Sequence, residues 1–326
     1  MLRLLQSIFG FGDTTGGYPE DMVRKAIERA VDGTDPWLRA ISGYRKKLKP
    51  AVLRAMDHVV TLVDGLPPPL LVNGDSYRND PRLKVFFLST AEMRGIFGKD
   101  RNLRDFLRGP GAGAEMVTAL MFMEKREDRG FGAEMDGDRV MRDVPRITVS
   151  FESHRLMDPA PDEDRTRLLL KKRAFDYLIR VALQRISSAK AERKDLERRN
   201  ALLQAKIEVL RRGGWGFNGN DSSLSEDIGD LEESLRRIES QLSELGGDDR
   251  TLETYLNIVI DVLGHPENHL QGGRETLIVD GMGIRRDQAS STAPELTLTT
   301  VHDTDGRCRI AQMISLPAEE LRGIKG

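Results

Sequence analysis

The chain has 326 residues, which is long enough for two domains of ordinary size. Its 50 basic and 52 acidic residues give a formal net charge of -2, which excludes nucleic-acid or membrane binding driven by the charge of the whole chain. Aromatic residues make up only 6%, which argues against a large aromatic-lined ligand pocket. The single cysteine, Cys308, excludes a disulfide within the chain and a cysteine-based zinc or iron–sulfur site.

The first eleven residues are mostly apolar, with one arginine and no acidic residue. The apolar stretch is too short for a signal peptide, and no run in the chain approaches the roughly 18 apolar residues of a membrane span. Residues 2, 5, 8 and 9 would share one face of a short helix. The segment 1–11 is therefore expected either to dock on the protein's own core or to make a weak contact with a membrane or a partner. The expected location is cytoplasmic.

Residues 1–108 are predicted to form an N-terminal helical domain. Pro19 followed by two acidic residues is a typical helix start, and apolar residues then recur at helical spacing. Asp35-Pro36 opens a second, short helix that carries Trp37, and further helices continue to residue 108. The glycine-rich stretch 109–113 lacks the spacing of a phosphate loop or a dinucleotide-binding loop, so it is predicted to be a linker.

Residues 114–158 and 272–326 are predicted to form one antiparallel sheet to which both halves of the chain contribute. Apolar and polar residues alternate in both segments, which is typical of strands with one buried face. Asp136-Gly137 has the position of a hairpin turn, and the first segment is predicted to be a meander of three or four strands. Cys308 lies in an alternating run and is expected to be a small buried side chain. The predicted fold class is therefore α+β, helix-rich, with a long helical hairpin inserted in the sheet domain.

The clearest signal is a predicted antiparallel coiled-coil hairpin across residues 162–264. Arms of about 48 and 43 residues, at about 1.5 Å per residue, would each reach roughly 60 to 70 Å. The register of the second arm continues past Gly246-Gly247, which is either a local weakness or a break. The apolar seam repeats at heptad spacing, with polar interruptions in the first arm. Its positions are Leu168, Phe175, Ala182, Ala189, Leu196, Leu203 and Leu210 with Lys172, Ile179, Ile186, Arg193, Asn200 and Ile207 in the first arm, and Leu224, Ile228, Leu231, Leu235, Ile238, Leu242, Leu245, Leu252, Leu256, Val259 and Leu263 in the second.

The two arms carry opposite charge. Residues 165–212 contain 15 basic and 5 acidic residues, whereas residues 221–263 contain 3 basic and 12 acidic residues. At physiological salt such charges act over about 8 Å, so they favour pairing between adjacent arms over nucleic-acid binding by the basic arm. A nucleic-acid-associated protein that uses this arm and the basic cluster 45–49 stays an alternative function.

The connection between the arms, residues 213–220, is the candidate partner-binding tip. It places Trp215, Phe217, Asn218 and Asn220 among glycines, where little core is available to bury them. Exposed aromatic residues are typical interface anchors, so these four residues are predicted to bind a partner. The alternative is that Trp215 and Phe217 cap the hairpin against its own helices. The expected partner is a second protein or another copy of the chain.

No catalytic signature is legible in the sequence, and no catalytic residue, metal or cofactor is predicted. Glu152, His154 and His302 could form a small acid–base site if their strands are neighbours, which keeps an enzyme as an alternative. Arg285 and Arg286, which follow a glycine turn, are a candidate for anion binding. The expected function is a non-enzymatic interaction, scaffold or assembly protein that presents the hairpin to a partner or to another copy of itself.

Overall fold

The computed structural model describes residues 17–136, 139–212, 221–244 and 248–322. In chain order the elements are α1 (Glu20–Asp32), a 3-10 turn (Pro36–Ala40), α2 (Tyr44–Asp64), β1 (Leu70–Leu71), α3 (Gly74–Asn79), α4 (Pro81–Phe86), α5 (Thr90–Lys99), α6 (Arg101–Arg108), β2 (Met116–Asp136), β3 (Arg139–Ala160), α7 (Glu163–Arg212), α8 (Asp221–Glu244), α9 (Asp248–Gly264), a second 3-10 turn (Pro266–Asn268), β4 (Leu270–Ile278), β5 (Glu295–Asp303), β6 (Cys308–Pro317) and α10 (Ala318–Arg322). Helices combine with a mostly antiparallel sheet, which confirms the α+β class.

The chain divides into two compact units. The sheet unit contains the described residues of Met56–Phe175 and those from Glu267 onward, and the helical unit contains the described residues up to Ala55 and those of Asp176–Pro266. The boundaries fall within α2 and α7, so each of these helices contributes residues to both units. The three-part domain division expected from the sequence stays a prediction.

In the helical unit, α1 is joined to α7 by a close backbone approach and an ion pair. A Cβ atom added at Gly33, just after α1, would lie only 2.6 Å from Cγ2 of Ile179, so no side chain fits there. Beside this contact, the guanidinium of Arg29 donates two hydrogen bonds to the carboxylate of Asp176. The apolar face predicted for α1 is confirmed by its buried residues, Met22, Val23, Ala26, Ile27, Ala30 and Val31.

In the sheet unit, the strands are ordered β3-β2-β6-β5-β4, with antiparallel neighbours, and β1 adds a short parallel pairing to β6. β2 and β3 pair from Thr118 opposite Ala160 to Asp136 opposite Arg139. β2 pairs with β6 only as far as Met123, and beyond it the two strands continue as a hairpin arm.

The meander of three or four strands predicted for 114–158 is wrong, because these residues form two long strands. The chain does reverse at the predicted turn, although residues 137–138 lie outside the described part. β3 carries bulges where its register with β2 shifts, and Asp143, Ser153 and Asp158 have positive φ angles at these points. Each bulge interrupts the alternation of apolar and polar residues, which therefore resembled several short strands.

A segment after β4 connects the two ends of the sheet. Val279 bridges to Arg285, and Ile284 bridges to Thr148 of β3. The carboxylate of Asp280 holds this turn, because it accepts hydrogen bonds of 2.9 Å from the backbone N–H groups of Met282 and Ile284. The outer strands β3 and β4 are thus linked through residues 279–285.

Both faces of the sheet are covered, and β2 shows how. Its odd-numbered residues from Val117 to Met123 belong to a core shared with α4, α5 and α6, whereas Leu120 belongs to a second core with Val63 of α2 and Leu170 of α7. This separation follows from the alternation of side chains along a strand. The helices between residues 81 and 108 therefore bury their apolar side chains against the sheet.

Cys308 is exposed, so the buried side chain expected there is wrong. It is the first residue of β6, and the buried part of that strand begins two residues later at Ile310. The alternation continues past the end of the core, which the sequence pattern alone does not reveal.

Candidate functional site

The candidate site is the surface that α7 forms with α8 and α9 in the helical unit. Side chains of α7 contact both α8 and α9. Residues with lower numbers in α7 contact residues with higher numbers in α8 and α9. The helices therefore run antiparallel to α7. The contacts are Arg211 with Glu232 (2.6 Å), Arg193 with Thr251, Lys190 over the ring of Tyr255 (5.1 Å to the centroid) and Arg185 with Asp261 (2.8 Å).

Burial along the second half of α7 follows the heptad positions. Between residues 186 and 210, every predicted seam position is buried or half-buried, and every other residue is exposed. The polar interruption Arg193 contacts the neighbouring helix through its bond to Thr251. In α9, the seam residues Leu256, Val259 and Leu263 are buried. One stripe of α7 is thus directed towards the helices with which it makes contacts.

A cavity of about 570 Å³ lies between α7 and α8. Ile207 and Leu235 are its apolar lining residues, and Arg211 and Glu232 are among its charged lining residues. The volume is within the range of roughly 300 to 1,000 Å³ that is typical of ligand pockets. The two helices therefore do not close completely against each other at this position.

Two large apolar side chains of α7 face away from the seam. Leu202 is 69% exposed and Val209 is 68% exposed. At about 100° per residue, they lie within about 20° of each other and roughly 130° from the centre of the seam. The heptad repeat does not predict this second face, although the spacing of seven residues, with Ala205 between them, is visible in the sequence.

Trp37 presents a further exposed apolar side chain in the helical unit. It is 74% exposed, whereas the next residue of the same 3-10 turn, Leu38, is buried. Asp35 caps this turn by accepting a 3.0 Å hydrogen bond from the backbone N–H of Trp37. An indole on a capped turn has the character of an interface anchor, because the turn fixes its direction before binding.

The predicted partner-binding residues Trp215, Phe217, Asn218 and Asn220 lie outside the described residues. The same is true of segment 1–11 and of Gly246-Gly247, on either side of which α8 ends and α9 begins. These predictions stay as they were made from the sequence.

The two arginines predicted to bind anions are both close to carboxylates. Arg286 donates to Asp280 at 2.9 Å, and Arg285 lies 3.7 Å from Glu127. Burial opposes ionisation of Asp280, but two backbone N–H groups and Arg286 outweigh it and lower the pKa of this carboxyl. The guanidinium of Arg286 is therefore part of the turn. Its positive charge is offset by the carboxylate of Asp280, so it attracts a free anion less strongly.

The residues of the possible acid–base site do not converge. His154 lies on β3 and His302 on β5, and β2 and β6 separate these strands by about three spacings, roughly 14 Å along the sheet. The Nε2 atom of His154 lies 2.9 Å from the carbonyl oxygen of Phe86, and its ring stacks on Phe87. Burial of the ring lowers the pKa of His154. Glu152 is exposed and lies 3.9 Å from Arg126.

The basic cluster 45–49 is offset by acidic side chains of the helical unit. Arg45 donates to Glu28 at 2.8 Å, and two of the lysines face carboxylates at 3.5 Å. Together with the pairs that α7 makes, these contacts reduce the positive field that a nucleic acid would require.

Within the described ranges, the His, Cys, Asp and Glu side chains form no group that could hold a metal ion. Nor does any helix in this part of the chain have the length and apolarity to cross a membrane. No family model, curated protein or solved structure matches the chain.

Proposed function

We propose that this is a non-enzymatic interaction or assembly protein, and that α7 with α8 and α9 forms a coiled-coil hairpin that is presented to a partner or to another copy of the chain. The observation that carries the proposal is the exposure of Leu202 and Val209. They lie on the outer face of α7, whereas the seam residues of this helix between 186 and 210 are buried or half-buried.

The free energy of burial supports this use of the outer face. Burying a leucine or valine side chain that is otherwise exposed contributes about 1.5 to 3 kcal/mol. The two side chains lie two helical turns apart, which is the spacing of residues on a helix face that packs against another helix. Ala205 between them allows a partner helix to approach closely.

The charges of the two arms support their pairing with each other, and the charges beside the exposed apolar pair bear on the choice of partner. Arg211 and Arg185 of α7 pair with acidic residues of α8 and α9, so the opposite charges of the two arms largely offset each other. An exposed apolar pair flanked by Arg198 and Lys206 is left for a partner, and these two side chains favour a partner surface with acidic residues at its rim.

The test compares a Leu202→Asp/Val209→Asp double variant with the control Leu88→Asp. Leu88 is also exposed, at 87%, but it belongs to the sheet unit. We expect crosslinking mass spectrometry and light scattering to show that the double variant loses its partners or its self-association, whereas the control retains them. If all three proteins give the same crosslinks and the same mass in solution, the outer face of α7 is not the interaction surface.

A second double variant separates the tip from the helix face. Trp215→Ser/Phe217→Ser changes only the connection between the arms, and it is expected to weaken capture if these aromatic side chains anchor a partner. Unchanged capture in this variant, together with loss in the Leu202→Asp/Val209→Asp variant, would assign binding to the helix face alone.

A further inference from the structure

β2 and β3 continue beyond the sheet as the hairpin arm, and the two outer edges of this arm differ. Every bulge of their ladder lies in β3, which also contains Pro145 and is bridged by residues 283–285. Bulges, prolines and covering segments are devices that protect the edge of a sheet from further pairing. β2 instead contains neither a bulge nor a proline, and beyond Met123 no other strand of the described chain pairs with its second edge. The outer edge of β2, residues 124–136, is therefore open to another strand.

Hydrogen bonds at the outer edge of β3 show how the arm orients its backbone. The N–H of Val149 donates to the carbonyl of Gly283 at 2.7 Å, and the carbonyl of Ile147 accepts a bond of 2.8 Å from the N–H of Arg285. Val149 and Ile147 therefore direct these backbone groups away from β2. In an antiparallel ladder, such residues form the non-hydrogen-bonded pairs with the strand on their other side.

The same rule gives the orientation of the backbone of β2. Glu127 and Arg129 are the register partners of these two β3 residues, so they direct their own N–H and C=O groups away from β3. Phe131 continues this alternation, and its register partner is Pro145, which has no N–H to donate to it. The donors and acceptors of these three β2 residues thus point to the outer edge of the strand. An extended strand is the partner that satisfies such a row of backbone groups.

The side chains beside this edge leave space for a second strand. Phe131 is 70% exposed, and Gly130 and Gly132 flank it. A Cβ atom added at Gly132 would lie 2.5 to 2.7 Å from atoms of the Arg146 guanidinium. Arg146 of β3 therefore extends across to β2 and holds a positive charge over Gly132.

We propose that the outer edge of β2 binds the same edge of a second copy of the chain, antiparallel and about a two-fold axis at Gly130. Gly130 is the midpoint of residues 124–136, so this pairing uses the whole edge. Arg129 then exchanges backbone hydrogen bonds with Phe131 of the second copy, and the reverse pair forms by symmetry. The surface belongs to the sheet unit, so the inference goes beyond the proposed role of α7 and does not depend on it.

Charge complementarity supports this pairing. It places Asp128 opposite Gly132 of the second copy, which is the position that the guanidinium of Arg146 covers in that copy. It also places Arg126 opposite Glu134 of the second copy. Opposite charges at directly paired positions stabilise a sheet, and each of these pairs occurs twice because of the two-fold symmetry.

Charge also excludes the registers whose axis lies closer to the sheet. A two-fold axis at any residue from 126 to 129 would place that charged residue opposite its own copy. Like charges at directly paired positions destabilise a sheet. With the axis at Gly130, the only like charges opposite each other are Glu124 and Asp136, at the two ends of the edge.

The test is a charge exchange in the Leu202→Asp/Val209→Asp background, which removes the exposed apolar pair of α7 as a source of association. The dissociation constant of the dimer is measured by sedimentation equilibrium for this background alone and with Asp128→Arg, Arg146→Glu or both. Each single change should weaken the dimer roughly tenfold, because two symmetric pairs are lost, and the double change should restore it.

The control for the charge exchange is Arg155→Glu, at an exposed position of β3 outside the arm. It changes the net charge as Arg146→Glu does and should leave the dissociation constant unaltered. A monomer at every concentration, or a double variant that binds no more tightly than the single ones, would overturn the proposal.

A second measurement needs no variant. Hydrogen exchange of the backbone amides of residues 124–136 is followed by mass spectrometry in a dilute and in a concentrated sample of the wild type. We expect slower exchange of this segment in the concentrated sample, because its outward amides donate to the second copy there, and equal exchange of α2 in both. Equal exchange of residues 124–136 in the two samples would show that this edge does not pair.

Discussion

The ammonium group of Lys190 lies 2.7 Å from the carboxylate of Asp35, a residue that is only 5% exposed. The same carboxylate caps the 3-10 turn that presents Trp37, and the same ammonium lies over the ring of Tyr255. One lysine of α7 thus fixes the turn with the exposed indole and contacts α9. The position of Trp37 thus depends on the ion pair between Lys190 and Asp35, in which only the carboxylate is buried.

Lys190→Met should destabilise the helical unit, because it leaves the buried carboxylate of Asp35 without its cation. The expected loss is about 1 to 2 kcal/mol, less than for a fully buried pair, because the lysine side chain is half exposed. Urea denaturation followed by circular dichroism measures it. Lys194→Met, one turn further along α7, is the control and should leave the midpoint within experimental error of the wild type.

Ile207 and Leu202 test the two faces of α7 with the same type of substitution. Ile207 is buried on the seam, so Ile207→Ala should lower the free energy of unfolding by about 2 kcal/mol. This loss is at the lower end of those for core truncations, because Ile207 already lines a cavity. Leu202→Ala should change it by less than about 0.5 kcal/mol. Urea titrations under conditions that keep the protein monomeric measure both values. Similar losses for the two variants would show that the seam assignment is wrong.

The heptad stripe could be predicted from the sequence because it depends on spacing within one helix. Positions from Ile186 to Leu210 repeat without interruption by turns, and their burial follows this spacing alone. The strand boundaries in β3 could not be predicted in the same way. Bulges at Asp143, Ser153 and Asp158 shift the alternation by local backbone geometry, and no residue type marks such a shift uniquely.

The neighbours of each histidine depend on strand order, which no local pattern contains. His302 and His154 both lie on predicted strands, which makes them candidates for one site, but β2 and β6 separate β3 from β5. The register of β5 with β6 instead places Cys308 opposite His302. The residues were visible in the sequence, whereas their pairing required the long-range topology of the sheet.

Gly33 and Gly95 should respond to alanine in opposite directions. At Gly33 the new Cβ would lie 2.6 Å from Ile179, so Gly33→Ala should destabilise the protein by about 1 to 3 kcal/mol through overpacking. Gly95 lies inside α5, and its Cβ would meet nothing within 4 Å. Gly95→Ala should therefore stabilise by about 0.5 to 1 kcal/mol, because alanine favours the helix. Thermal unfolding of both variants checks the signs, and stabilisation by Gly33→Ala would contradict the close contact with α7.

His154 should make stability depend on pH. Burial of its ring lowers its pKa, and the hydrogen bond to Phe86 and the charge of Glu92 oppose this only in part. The unfolded chain therefore binds the proton at a higher pH than the folded chain, so stability is fully present above about pH 6.5 and decreases as the pH falls through that value towards the lowered pKa.

The variant His154→Gln isolates this contribution. Urea midpoints at pH 5 and pH 7.5 should differ less in His154→Gln than in the wild type. An identical pH difference in His154→Gln and the wild type would show that this ring does not titrate differently in the folded state.

Glu275→Gln should increase the reactivity of Cys308 near neutral pH. Burial raises the pKa of the Cys308 thiol, and the carboxylate of Glu275 raises it further, whereas Lys125, which Glu275 partly neutralises, lowers it. Removing the negative charge therefore lowers the thiol pKa twice over, directly and by leaving Lys125 less compensated, so more thiolate is present at pH 7.5. Alkylation by iodoacetamide should be faster than in the wild type at that pH, and the two rates should converge at high pH, where both thiols are ionised.

Glu124→Gln is the matched control, because Glu124 precedes Lys125 on β2 and pairs with Arg309. A slower reaction in Glu275→Gln would mean that Glu275 helps the thiol, for example by orienting Lys125, rather than holding it protonated.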